Sequence, residues 1–125
     1  MLCIFFYICC MDEINTTYFI TKWKSQIKKG LLEYIIMLLL KNKSYYGYEL
    51  IAKMKGFASM DIAEGTIYPL LNRLKKENLV VSEWIEMETG IPRKYYKITD
   101  LGMEQLVMMN DYYKELDHSI SGITL

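Results

Sequence analysis

A mainly α chain with one small β-hairpin is the fold class this sequence predicts. Three observations carry the prediction. Apolar residues recur at helical spacing in successive segments between Asn15 and Asn78. The pattern then switches to β-branched and aromatic residues in VVSEWIEM and RKYYKIT, on either side of turn-forming ETGIP, and it returns to helical spacing from Asp100 onward. At 125 residues the chain fits one domain with a modest core, a size at which a second subunit can add useful burial.

From Asn15 to Lys29, Ile20, Trp23 and Ile27 form a thin apolar stripe with Lys22, Lys24, Lys28 and Lys29 between them. LLEYIIMLLL, residues 31–40, is apolar almost all round and belongs in the middle of a core. KNKS breaks that pattern. YYGYELIAKMKG then supplies a second helix with Leu50, Ile51 and Met54 on one face, and Gly56 is placed to end it in a left-handed cap. In the third helix, DIAE offers Asp61 and Glu64 as a capping box. Pro69 predicts either a bend or a start nearer Thr66, because it deletes a backbone hydrogen bond to Gly65. Asn78 is the expected stop. In the last helix Leu106, Met109, Tyr113, Leu116 and Ile120 alternate three and four apart like a coiled-coil seam. Two heptads cannot stand alone, so this seam is expected to pack on the N-terminal helix, where Trp23 lies, or on the same helix of a second subunit.

The third helix, GTIYPLLNRLKK, sets Ile67, Leu70, Leu71 and Leu74 toward the core and leaves Thr66, Tyr68, Asn72, Arg73, Lys75 and Lys76 on the other face. Helix, helix, helix, hairpin is the winged helix-turn-helix order, in which the third helix enters the DNA major groove and the hairpin touches the neighbouring backbone. A partner outside the protein explains that polar face: hydroxyls and amides read base edges, and Arg and Lys neutralise phosphate. In the wing, Arg93 and Lys94 follow Gly90 and Pro92; alternation puts Lys94 on the Tyr96 side of the strand and Arg93 on the other. For any one of these residues taken singly, a solvated helix surface is the better account; the combination with a basic hairpin is what favours DNA.

Charge supports the same division. The net charge is zero, yet residues 20–97 hold 14 Lys and Arg against 8 Asp and Glu, whereas residues 98–125 hold 1 against 5. The middle is basic and the ends are acidic.

YYGYELI, GTIYPLLNRLKKENLV and IPRKYYKITDLG, in that order and spacing, resemble the PadR family of bacterial transcriptional regulators. Its members have a YGYEL-type second helix, a GTLYPxLxRLExxGLV-type recognition helix and a gPxRKYYxLTxxG-type wing. The likeness covers roughly residues 28–122, and the single helix after the wing resembles the subgroup with a short C-terminal helix. It implies a homodimer built by the terminal helices that usually represses by occupying a promoter, and two recognition helices related by a twofold axis call for an inverted-repeat site with half-sites roughly 10 base pairs apart, or a multiple. It also implies that Thr66, Tyr68, Asn72, Arg73, Arg93 and Lys94 approach double-stranded DNA, to which the polar face adds Lys76. The sequence departs from the family in its opening MLCIFFYICC, in Asn78 where glycine is usual, and in Tyr113 where tryptophan is common. In some members an aromatic side chain at that position lines an interfacial cavity for planar small molecules. By that likeness Tyr113 and Met109, with Leu116, Ile120 and Trp23 nearby, would form a dimer seam or a site for a small aromatic effector. Met and Tyr at helical spacing are more often plain packing, which is the preferred reading of these residues.

The expected organisation is therefore an apolar extension over residues 1–11, a winged helix with its leading helix over 12–99, and a dimerisation helix over 100–125. The opening decapeptide is too short to span a bilayer and lacks signal-peptide flanks; it reads as an upstream extension before Met11, or alternatively as a membrane-touching or partner-binding tag. Cys3, Cys9 and Cys10 all lie there, with no disulfide framework and no zinc spacing, which fits a reducing, cytoplasmic setting. No metal, cofactor, membrane partner or catalytic role is expected. The single histidine, His118, has no partner signature, and no phosphate-cradling glycine loop occurs. The competing class is a winged helix used for protein–protein interaction without DNA.

Overall fold

The computed structural model describes residues 2–57 and 62–123, with side chains from Thr17 onward. The elements are α1 (Leu2–Asn42), β1 (Tyr45–Tyr46), α2 (Gly47–Lys55), α3 (Glu64–Lys76), β2 (Val80–Ile85), β3 (Arg93–Ile98) and α4 (Asp100–Ser121). They form two compact units, Met1–Leu31 and Leu32–Leu125. The mainly helical architecture with a small antiparallel sheet agrees with the expected fold class.

Within the first unit α1 is continuous from Leu2, so the helix expected to begin near Asn15 starts much earlier. The cysteine side chains lie outside the described residues. Thr21 Oγ1 donates to the Thr17 carbonyl at 2.7 Å, and Lys22 Nζ stands 4.5 Å from the centre of the Tyr18 ring, contacts that link successive turns. Ile20, Trp23 and Ile27, the expected stripe, are exposed in this unit.

In the second unit, Leu32, Ile35, Ile36, Met37 and Leu40 of α1 are buried, as an all-round apolar segment requires. Leu50, Ile51 and Met54 from α2, Ile67, Leu71 and Leu74 from α3, Val80 and Tyr96 from the sheet, and Leu106 from α4 complete the core. At roughly 1.5–3 kcal/mol for each fully buried Leu, Ile or Met, this cluster is the main source of stability. No charged or polar residue is buried among the described residues.

The sheet runs β1-β3-β2, all antiparallel. Its first strand corrects the sequence reading, which took YY as the start of the second helix. Tyr45 instead pairs with Tyr96 across β3, both rings buried, and the helix begins at Gly47. A Cβ there would lie 3.0 Å from Tyr68 Oη, so any side chain at this position would press on that ring. At the far end of α2, Gly56 has φ −81° and ψ −5°, so the left-handed cap expected there does not form. Phe57 N–H closes the turn on the Met54 carbonyl instead, which leaves no demand for positive φ.

The capping box expected in α3 is also replaced. The helix starts at Glu64 with Ala63 as N-cap and no side-chain cap; Asp61 lies outside the described residues. What fixes this start is apolar: Ile62 and Ile67 occupy the N′ and N4 positions of a hydrophobic staple, and both are buried. Pro69 is accommodated inside the helix, and the exposed turn at Gly65 leaves the carbonyl it orphans open to water.

At its C-terminus α3 closes with a full Schellman motif. Asn78 N–H donates to the Lys75 carbonyl and Leu79 N–H to the Leu74 carbonyl, each at 3.0 Å, while Asn78 takes φ +60°. The expected stop is therefore real, and asparagine stands there as the side chain that best tolerates the left-handed region after glycine. Thr99 ties this cap to α4. Its hydroxyl donates to the Asn78 carbonyl at 2.6 Å and accepts from Gly102 N–H at 2.9 Å, and its own N–H donates to Leu79 O at 3.0 Å. Gly102 lies so close to the Leu79 carbonyl that any Cβ would overlap it.

Candidate nucleic-acid interface

The residues expected on DNA begin on α3, whose buried stripe of Ile67, Leu71 and Leu74 fixes which side chains point outward. Thr66, Tyr68, Asn72, Arg73 and Lys76 are all exposed, so the row anticipated from spacing exists as a surface. Two of its members are already engaged. Tyr68 lays its hydroxyl end over Gly47, bracing α3 against α2 while 41% of the residue stays exposed. Arg73 Nη1 lies 3.0 Å from Glu33 Oε1, an ion pair with the part of α1 in the second unit. That oxygen is buried and accepts no well-aligned hydrogen bond, so the contact is one of charge rather than geometry. The exposed guanidinium keeps its remaining N–H groups free.

In the hairpin, β2 and β3 pair from Val80↔Ile98 to Ile85↔Arg93, and the connection turns at Gly90, with φ +80° and its N–H donating to the Met87 carbonyl at 2.8 Å. The two wing cations lie on opposite faces of this ribbon. Arg93 stacks 4.6 Å above Tyr46, within an aromatic group in which Tyr46 is 5.8 Å from Tyr95 and 6.4 Å from Tyr48. Lys94 lies on the Tyr96 side, half-buried, with Nζ 5.8 Å from the centres of both the Tyr96 and Trp84 rings. Tyr96 itself is buried, and burial together with Tyr68 nearby pushes its phenol above the usual range.

Lys94 also meets a residue absent from the expected contacts. Lys75, half-buried on α3, has its pKa lowered by partial burial and then by the charge of Lys94 nearby. Helix and wing thus bring two like charges together. The signal was present in the sequence: Lys75 flanks the Leu71 and Leu74 stripe, and it stands where the family motif quoted above carries glutamate.

The residues expected at a seam or effector site divide differently. Met109 is half-buried, Tyr113 is 42% exposed, and Leu116 and Ile120 are exposed along α4. Tyr113 packs 5.5 Å from the Tyr34 ring, whose hydroxyl donates to Asn110 Oδ1 at 2.8 Å. Burial, then Tyr113, raises the Tyr34 pKa. Trp23 is exposed in the first unit. Among the described residues no cluster of His, Cys, Asp and Glu could hold a metal ion, and no helix is long and apolar enough to cross a membrane.

Comparison with known proteins adds a family. Residues 35–107 match the transcriptional regulator PadR-like family. Solved structures agree: a PadR-like transcription factor from Bacteroides fragilis is 45% identical, with a TM-score of 0.68, covering 82% of this chain and 99% of that one. A PadR-like transcriptional regulator from Bacillus cereus is 36% identical, with a TM-score of 0.72, covering 78% and 94%. One from Eggerthella lenta is 27% identical, with a TM-score of 0.74, covering 87% and 95%. An uncharacterised protein of Lysinibacillus sphaericus is 35% identical over 85 residues, 66% of this chain and 78% of that protein. Members of the family are transcriptional regulators and not enzymes, and this chain belongs to the PadR-like family.

Proposed function

We propose that the chain is a cytoplasmic repressor that binds an inverted-repeat promoter site as a homodimer, α3 in the major groove and the hairpin along the backbone. The observation that carries this reading is the exposed row Thr66, Asn72 and Lys76 on α3, continuous with Lys75 and Lys94 where helix meets wing. Amide and hydroxyl groups there read base edges, and the lysines neutralise phosphate. Arg73 contributes its free N–H groups while Glu33 orients it, and Tyr68 holds the helix at its angle.

Dimerisation is supported by α4. Met108, Tyr112, Tyr113, Leu116 and Ile120 leave much apolar area in water, more than a lone helix face of a monomer comfortably exposes. A second copy covering it sets two α3 helices about one helical turn of DNA apart, or a multiple of it. A planar effector fits beside the paired rings of Tyr34 and Tyr113, with Asn110 as a polar handle.

Footprinting on the DNA upstream of the protein's own gene tests the reading. Protection of two inverted half-sites is expected; a footprint without twofold symmetry would refute the arrangement. The alternative of a protein-interaction module draws on one feature, the aromatic group in which exposed Tyr48 stacks on half-buried Tyr46, itself beside half-buried Tyr95. Absence of duplex binding at low salt would favour it.

A further inference from the structure

We infer that Tyr46 is a positioning residue for Arg93, holding its guanidinium ready to enter the DNA minor groove beside the backbone strand that the wing follows. The inference rests on the DNA-binding reading and adds a minor-groove reader together with the ring that orients it.

Tyr46 in β1 pairs with Tyr95 in β3, and Arg93 lies two residues before Tyr95, so the three side chains share one face of the sheet. Exposed Arg93 places its guanidinium carbon 4.6 Å from the centre of the Tyr46 ring. That half-buried ring is itself held: Tyr95 is tilted against it at 5.8 Å, and Tyr48 lies near-parallel at 6.4 Å with 14° between the planes. Glu83, Glu86 and Glu88 lie on the same hairpin, yet the ion pairs among the described residues are Lys43 with Glu49 and Arg73 with Glu33. Stacking, not a carboxylate, therefore fixes Arg93. A stacked guanidinium uses its face and keeps the N–H groups of its edge for another partner.

Lys94 occupies the opposite face of the ribbon, beside Trp84 and Tyr96. With α3 in the major groove and Lys94 on the bordering phosphates, the Arg93 face looks past that strand into the adjoining minor groove. A·T pairs offer only acceptors there, whereas guanine adds an amino donor that opposes an arginine. Ile91, two residues nearer the hairpin tip and 70% exposed, adds apolar surface suited to the sugar walls of a groove rather than to phosphate. An arginine left unpinned loses its side-chain freedom on binding, which lowers affinity roughly 2- to 10-fold. A homodimer has two wings, so the ring is worth about 4- to 100-fold in all.

Once footprinting has located the site, symmetric duplexes are made that differ only in the base pairs under the two wings: A·T, G·C, or inosine·C. Inosine removes the minor-groove amino group of guanine and keeps its major-groove acceptors. The full chain is titrated with each at one salt concentration. Wild type is expected to bind the A·T and inosine·C duplexes alike and the G·C duplex roughly 5-fold more weakly per half-site, about 25-fold for the pair. Arg93→Gln abolishes that difference. Tyr46→Phe keeps the ring and behaves as wild type, while Tyr46→Ile, a β-branched residue suited to the strand, lowers affinity for the A·T duplex by about 4- to 100-fold. In the Arg93→Gln background Tyr46→Ile costs nothing further, because the ring acts through the guanidinium. Melting temperatures show that each variant folds, and Tyr46→Thr replaces Tyr46→Ile if that one does not. Equal wild-type affinity for A·T and G·C duplexes, or weak binding to inosine·C, overturns the groove assignment and leaves DNA binding intact. A Tyr46→Ile loss of the same size with and without Arg93 makes Tyr46 structural only and overturns the positioning role. If no duplex binds at low salt, the DNA-binding reading falls as well.

Discussion

Replacing Gly102 by alanine tests how α3 is anchored. The new Cβ would overlap the Leu79 carbonyl oxygen and lie 2.7 Å from Ile98 Cγ1 and 3.1 Å from the Leu79 carbonyl carbon. The Ile98 side chain can rotate away, but the Leu79 carbonyl cannot: it accepts from Thr99 N–H and sits one residue past the α3 cap. Start of α4 and end of α3 must therefore separate. Overpacking of this kind costs roughly 1–3 kcal/mol, and weakening the Thr99 cap on Gly102 N–H costs about 1 kcal/mol more. Against this, alanine gains up to about 1 kcal/mol in helix propensity. The net expectation is a loss of about 2 kcal/mol, or a fall of about 8 °C in Tm at roughly 4 °C per kcal/mol for a chain of this size. Thermal melts followed by far-UV circular dichroism at fixed protein concentration read it out. Gly30→Ala serves as the control, since a Cβ there meets nothing within 4 Å in mid-helix and stability should rise. An unchanged or higher Tm for Gly102→Ala would refute the strap between cap and final helix.

Other outcomes follow from the same coordinates. Asn78→Gly should hold or raise stability, while Asn78→Val should lower it by about 1–2 kcal/mol, because φ +60° is strained for a β-branched residue; urea midpoints compare them. A double-mutant cycle of Glu33→Gln and Arg73→Gln should give a coupling of only about 0.2–1 kcal/mol, shrinking as salt is added, given how exposed the guanidinium is; a salt-independent coupling would contradict an ion pair of this kind. Leu116→Asp with Ile120→Asp should shift sedimentation toward the monomer with little change in helix content, since both side chains are exposed in the single chain; an unaltered dimer would move the interface elsewhere.

Much of the fold was legible because burial imposes periodicity. The α3 stripe, the two long strands and the start of α4 at Asp100 follow directly from spacing, and Asn78 marks the helix end. The errors arose where tertiary contacts outweigh local signals. Tyr45 and Tyr46 lie beside a helix-forming segment, yet β3 had a free edge, and pairing Tyr45 with Tyr96 buries both rings. The polar cap suggested by Asp61 and Glu64 gave way to the buried pair Ile62 and Ile67. Gly56 resembled a left-handed cap, but no geometry there needed one. At the candidate interface, exposure could be read from helical phase, whereas partners could not. Spacing on α3 says nothing about Glu33, 40 residues earlier, reaching Arg73, or about Lys94 arriving beside Lys75. Those meetings depend on how helix, wing and leading segment assemble.

The central claim is that the face shared by α3 and the wing binds a DNA backbone, and the salt dependence of binding to upstream duplex tests it most directly. With Lys76 on one phosphate and Lys94 on another in each subunit, a dimer neutralises four. Log affinity should then fall against log salt with a slope of about −3 to −4, and Lys76→Gln combined with Lys94→Gln should remove most of it. A slope near zero, or a full slope in that double variant, would contradict the assignment of this surface to DNA.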